Sequence, residues 1–248
     1  MASGKRRAAA TAVALAAGLL TAGCGSEGGV AAPSVVAAAP TPAPTPTPPP
    51  VVASATTRYL VTFEATWSRD LHPTDFPGDP HFSRLIGGTH SDRVNFWREG
   101  ALASSGIQDM AERGATSPFD TEIEAAIAGG TAHGLIRGGG VGRSPGSTGV
   151  DFEMSREHPR VTLVTMVAPS PDWFAGVHDL DLIENGDWVS TKTVDLHPYD
   201  AGTDDGPSFT SADVASMPHV PIRRIEGFPF ASNGSVAPIG RFVFRRVP

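Results

Sequence analysis

Helix signals in this chain stop near residue 130, and the remainder is written in short β-forming runs separated by Gly, Pro and Asp. Tyr59 to Ala65 alternates apolar and polar residues over much of its length. Arg160 to Ala168 is β-branched and nearly continuous, the pattern of a central strand. Trp188 to Leu196 alternates in part, and Arg241 to Val247 is a further run. Val94 to Trp97, Val150 to Met154, Trp173 to Val177 and Ile222 to Ile225 are shorter candidates. About eight strands with such turns predict an all-β fold, an antiparallel sandwich, with one or two short helices. Ala103 to Arg113 places Ile107, Met110 and Ala111 on one helical face, with Gly114 as the stop. Thr121-x-x-Glu124 reads as a capping box leading into Ile123, Ala126 and Ile127, ended by Gly129-Gly130. Half of the residues from Gly138 to Gly149 are glycine, which predicts a loop.

No disulfide can form within the chain, because Cys24 is the only cysteine in 248 residues. Its position is informative. Lys5, Arg6 and Arg7 precede 13 uncharged residues, Ala8 to Leu20. That is short of the ~20 apolar residues a bilayer span needs, but it fits the hydrophobic part of a secretion signal. The run ends in Leu20-Thr21-Ala22-Gly23-Cys24, which resembles the lipobox of bacterial lipoproteins, with Thr21 where Leu is commoner. Residues 1–23 are therefore expected to be a signal peptide and Cys24 the lipidated N-terminus. Eight prolines between Pro33 and Pro50 come next. Proline fixes φ and removes a donor, so residues 24–57 are expected to be an anchor and an extended stalk. The folded domain is expected at residues 58–248.

Loss of the signal removes three of 19 basic residues and none of 26 acidic ones, so 16 remain against 26 and the formal charge becomes −10. Phosphate-backbone binding depends on Lys and Arg, so no nucleic-acid partner is expected. Cation binding is compatible with this charge.

Carboxylates gather in two loop words. Pro169-Ser170-Pro171-Asp172-Trp173-Phe174 comes after the central-looking strand, and Asp200-Ala201-Gly202-Thr203-Asp204-Asp205-Gly206 sets Asp200 and Asp204 four apart. Loop carboxylates gathered at one end of a sandwich repel unless a hard cation neutralises them, and Ca²⁺ suits flexible oxygen-rich loops. Asp and Gly are also ordinary turn formers, so composition alone does not require a metal.

These words, with several others, carry a family resemblance. Phe63-Glu64-Ala65-Thr66-Trp67-Ser68, His81-Phe82-Ser83, Leu85-Ile86-Gly87-Gly88-Thr89-His90-Ser91, Phe96-Trp97-Arg98-Glu99-Gly100 and Ala111-Glu112-Arg113-Gly114 precede them in one order. Over roughly Arg58 to Val247 the chain resembles the spondin N-terminal domain of F-spondin and mindin. The resemblance implies an extracellular, C2-like β-sandwich with Ca²⁺ in loops at one end. It implies Asp172, Asp200 and Asp204 as ligands, with Glu153, placed by counting back without gaps from Asp172, as a fourth. The disulfides of the animal domains have no counterpart here.

The expected function is non-enzymatic: a calcium-binding adhesion or recognition module outside the cytoplasm, held to the envelope membrane by its lipid, with a cell-surface protein or glycan as partner. The alternatives are an envelope hydrolase using acidic residues and a purely structural envelope protein. Gly142-Arg143-Ser144-Pro145-Gly146 spells G-x-S-x-G, but a nucleophile elbow needs a strand before it and a helix after it. His72 and His81, beside prolines, read as hydrogen-bonding loop histidines, and Trp67, Trp97, Trp173 and Trp188 as core. The spacing from Asp200 is not that of an EF-hand.

Overall fold

A computed structural model describes residues 55–248. The expected signal, Cys24 and the proline-rich segment lie outside the described residues. In chain order the elements are β1 (Thr56–Ala65), β2 (His81–Phe82), β3 (Ile86–His90), α1 (Ser105–Arg113), α2 (Phe119–Ala128), β4 (Ala132–Arg137), β5 (Gly146–Ser155) and β6 (Arg160–Ala168). Then come β7 (Trp173–Asp181), β8 (Ile183–Glu184), β9 (Asp187–Trp188), β10 (Thr191–Leu196), β11 (Tyr199–Asp200), β12 (Arg223–Arg224) and β13 (Gly240–Val247).

Two antiparallel sheets result, as the sequence pattern predicts. The first has the order β10-β13-β1-β5. β1 pairs with β13 from Arg58↔Val247 to Ala65↔Gly240, and with β5 from Thr56↔Ser155 to Ala65↔Gly146. The second runs β12-β11-β7-β6-β3-β4, with β2 also on β6, and β8 and β9 form a separate hairpin.

Tyr59, Val61, Phe63 and Ala65 of β1 turn one face into the space between the sheets, where Phe63 meets Phe82 and Phe242 edge-on at 4.9 and 5.4 Å. β6 is buried on both faces. Val161, Leu163 and Val167 join this first core, while Val164, Met166 and Ala168 join a second one against Ile107, Met110, Phe119 and Ile123 of the helices. Burial on both sides is why its sequence shows almost no polar alternation.

The helices begin where side chains can be satisfied. Ser104 caps α1, its Oγ accepting the Ile107 N–H at 3.2 Å, and Gly114 ends it at φ 64°. The same hydroxyl donates to Glu122, whose other oxygen accepts the Gly106 N–H, so one carboxylate ties α2 to the start of α1. The capping box expected at Thr121–Glu124 does not form. α2 starts three residues earlier, with Pro118 in the N-cap place, because Phe119 is fully buried and packs edge-on to Phe96 at 5.9 Å. That places Asp120 and Glu122 in the first turn, where the helix dipole favours them.

Two strand expectations and one loop expectation also change. Val94 to Trp97 is irregular, held by the buried rings of Phe96 and Trp97. The Trp188–Leu196 run is broken, its start pairing with β8 and its remainder with β13. The glycine-rich loop ends early, since β5 already begins at Gly146 opposite Ala65.

Candidate metal centre

β6 cannot run on past Ala168, because Pro169 and Pro171 lack the N–H a ladder needs. Ser170 shapes the turn instead, its Oγ donating to Val167 O at 2.5 Å and accepting the Trp173 N–H at 3.1 Å. Asp172 is thereby set at the mouth of β7. Beyond it, Trp173 lies opposite Asp200 in the short β7–β11 ladder, and the Ala201 N–H bonds back to Asp172 O at 3.2 Å. The two aspartates therefore sit on neighbouring strands at one end of the sandwich.

The loop after Asp200 wraps the Asp172 carboxylate. Asp200 Oδ1 accepts the Gly202 N–H at 2.8 Å. Gly202 then turns with φ 75° in a place where a Cβ would lie 2.1 Å from Val220 O. That turn aims the next two amides inward, so Asp172 Oδ2 accepts Thr203 N–H at 2.7 Å and Asp204 N–H at 3.1 Å. The Thr203 hydroxyl adds a third donor at 3.3 Å.

The other oxygen is left over. Asp172 Oδ1 is buried without a hydrogen-bond partner, on a residue with no exposed surface. Burial, and secondarily the charge of Asp200, push the Asp172 carboxyl up to about 6, against the pull of the Thr203 and Asp204 donors. Such a group is incomplete without a proton or a cation.

The remaining predicted ligands divide. Asp200 Oδ2 accepts from Arg223 Nη2 at 2.7 Å. Asp204 Oδ1 accepts the Gly206 N–H at 2.7 Å and Oδ2 the Val214 N–H at 2.8 Å, so its carboxylate staples its own loop while its main-chain N–H serves Asp172. Asp200 and Asp204 line a cleft of about 420 Å³ with Trp173, Arg223 and Phe228.

Glu153 is not brought to this end. Its carbonyl accepts from Thr89 Oγ1, Thr89 faces Val161 at the start of β6, and its carboxylate lies 3.3 Å from His133 Nε2. Asp172 comes after Ala168, at the far end of β6. Seven residues of strand at about 3.3 Å each separate the two levels, roughly 23 Å. A gapless count back along the sequence passes over the reversal of the β5–β6 hairpin.

The arrangement fits a hard cation at Asp172 and Asp200. The unpartnered buried oxygen can be satisfied by a proton or a cation, and the side-chain atoms that would hold a cation are all oxygen. Among the described residues no three His, Cys, Asp or Glu side chains converge at ligand distance. Main-chain carbonyls and water would therefore complete the shell.

Other motifs find structural roles. Ser144 of the G-x-S-x-G spelling is buried and donates to Trp67 O at 2.8 Å. His72 bonds Ala237 O and His81 bonds Asp79 O, and all four tryptophans are buried. Arg223 is the site residue that sequence reasoning missed, since only the β11–β12 register reveals its partner.

Fold and site together define a two-sheet antiparallel sandwich with a carboxylate-bearing cleft at one end. Residues 57–235 match the Spondin_N family, and the chain belongs to it. It is 37% identical over 177 residues to Spondin-2 of Homo sapiens, covering 70% of this chain and 54% of that protein. Spondin-2 of Rattus norvegicus is 34% identical over 206 residues, covering 77% and 62%. Spondin-1 of Rattus norvegicus is 31% identical over 210 residues, covering 79% and 26%. The chain thus spans between half and two thirds of the Spondin-2 relatives and about a quarter of Spondin-1.

Proposed function

We propose that this protein is a calcium-dependent adhesion or recognition module, non-enzymatic and displayed outside the cytoplasm, with Cys24 as a lipid anchor and the proline-rich segment as its stalk. Ca²⁺ binds Asp172 and Asp200 and fixes the 200–228 loops. The observation that carries this reading is the fully buried Asp172 carboxylate with one unpartnered oxygen beside a second aspartate.

The same end offers a surface for a partner. Six large apolar side chains are exposed among the described residues, and four of them, Val214, Met217, Val220 and Phe228, lie on the loops around the cleft. A fifth, Leu102, adjoins Ala101, whose carbonyl bonds the Ile222 N–H. Clustered exposed apolar groups rimmed by charge mark interaction sites. By contrast Asp172 is buried and the Asp204 carboxylate faces its own loop, so neither is presented for acid–base work on a substrate.

The test is retention of protein-coated beads on glycan and matrix-protein arrays, in calcium and in EDTA. Retention that EDTA abolishes, and that Met217→Ser/Phe228→Ser removes while leaving calcium binding intact, is the expected result. Retention equal in both buffers contradicts the proposal.

A further inference from the structure

Resting on the cation reading above, we infer that Arg223 is the resident counter-cation of the site and sets how tightly it takes Ca²⁺. β11 and β12 pair over two residues only, and their register puts Asp200 directly across from Arg223. The Arg223 Nη2 atom sits 2.7 Å from Asp200 Oδ2. The guanidinium side chain is 69% exposed and the Asp200 side chain 10% exposed. The arginine therefore caps, from solvent, a carboxylate that is otherwise buried.

Two cations then compete for one carboxylate. Asp200 Oδ1 already accepts the Gly202 N–H, and Oδ2 is the oxygen that Arg223 holds. A divalent ion drawn to Asp200 and to the unpartnered Asp172 oxygen meets the repulsion of the guanidinium at close range. Binding is thus an exchange in which Arg223 swings outward: the exposed guanidinium regains water as it leaves, and the incoming ion takes over compensation of the buried Asp200 carboxylate. The metal-free loop end is kept from carrying two uncompensated carboxylates, and the affinity for Ca²⁺ is lowered in proportion. Arg224 provides an internal comparison. It lines the same cleft and carries the same charge, yet it makes no carboxylate ion pair among the described residues.

Calcium chloride is titrated calorimetrically into the full chain as wild type, Arg223→Gln, Arg223→Lys and Arg224→Gln. Arg223→Gln is expected to tighten binding on the order of tenfold, and the other two variants to stay within about threefold of wild type. Binding by Arg223→Gln where wild type shows none supports the inference equally. The inference is overturned if wild type binds and Arg223→Gln is unchanged or weaker. It is also overturned if Arg224→Gln tightens as much as Arg223→Gln, which would reduce the effect to net charge. If no variant binds at millimolar calcium, the cation reading itself fails. Arg223→Lys keeps the charge and the ion pair, so it separates a folding defect from the loss of the counter-cation.

Discussion

In calcium-free buffer at pH 7.5, Asp172→Asn is expected to be more stable than wild type, by up to about 3 kcal/mol, and the gain is expected to vanish toward pH 4. The ordinary carboxyl value is 3.8, and burial with the charge of Asp200 lifts Asp172 to about 6 in the folded chain. Between those values the folded state holds a proton that the unfolded state has released. Wild-type stability therefore falls as pH rises through this window and levels off above it. Asparagine keeps an oxygen for the Thr203 and Asp204 donors and does not titrate. His72 and His90, both lowered by burial, act in the opposite sense, losing stability as pH falls below 6.5. They are common to both proteins and cancel in the difference. Urea unfolding of the pair in EDTA from pH 4 to 7.5 measures it. Parallel profiles, with the variant no more stable at pH 7.5, would remove the buried-charge argument.

Phe230→Ala is expected to cost about 3–5 kcal/mol, while Phe228→Ala, two residues away, stays within about 0.5 kcal/mol. Phe230 has no exposed surface, and its ring lies 5.2 Å from Phe209, 5.4 Å from Trp173 and 6.1 Å from Trp67. This aromatic cluster pins the long loop after β11 onto the sandwich, beside the residue next to Asp172. Truncation leaves a cavity that rigid neighbours cannot fill. Phe228 is 58% exposed and leaves none. Equal costs for the two would show that the loop is not anchored through Phe230. Chemical denaturation at one pH suffices to compare them.

The strands that sequence reasoning found are those whose side chains report their burial. β6 spells its two-sided burial in an unbroken apolar run, and β1 spells its one-sided burial in alternation. β3, Ile-Gly-Gly-Thr-His, carries no such signal although every residue is buried. Its glycines are there for close approach, since a Cβ on Gly87 would stand 2.0 Å from Thr162 O and one on Gly88 2.8 Å from the Ile123 side chain. An absent side chain leaves nothing for a periodicity to show. The first helix was legible to within two residues from its apolar face and the Gly114 stop, although the Ser104 cap was not read. The start of the second helix was not legible, because burial of Phe119 against Phe96 outweighs a capping box that the residues spell correctly.

The site divides along the same line. Asp172 and Asp200 could be read because prolines and glycines mark their loops, and because the family words include them. That Asp204 staples its own loop, that Arg223 faces Asp200 and that Glu153 lies at the other end are all consequences of strand register and hairpin reversal. Neither is encoded in spacing along the chain.

Calcium binding at Asp172 and Asp200 is tested most directly by thermal unfolding of wild type and Asp172→Asn/Asp200→Asn, each in excess calcium and in EDTA. An ion that binds only the folded state at 100 times its dissociation constant adds about 2.7 kcal/mol. For a domain of this size that is a rise of roughly 5–10 °C in Tm. Such a rise is expected for wild type and none for the double variant. A wild-type midpoint that is the same in calcium and in EDTA would contradict it.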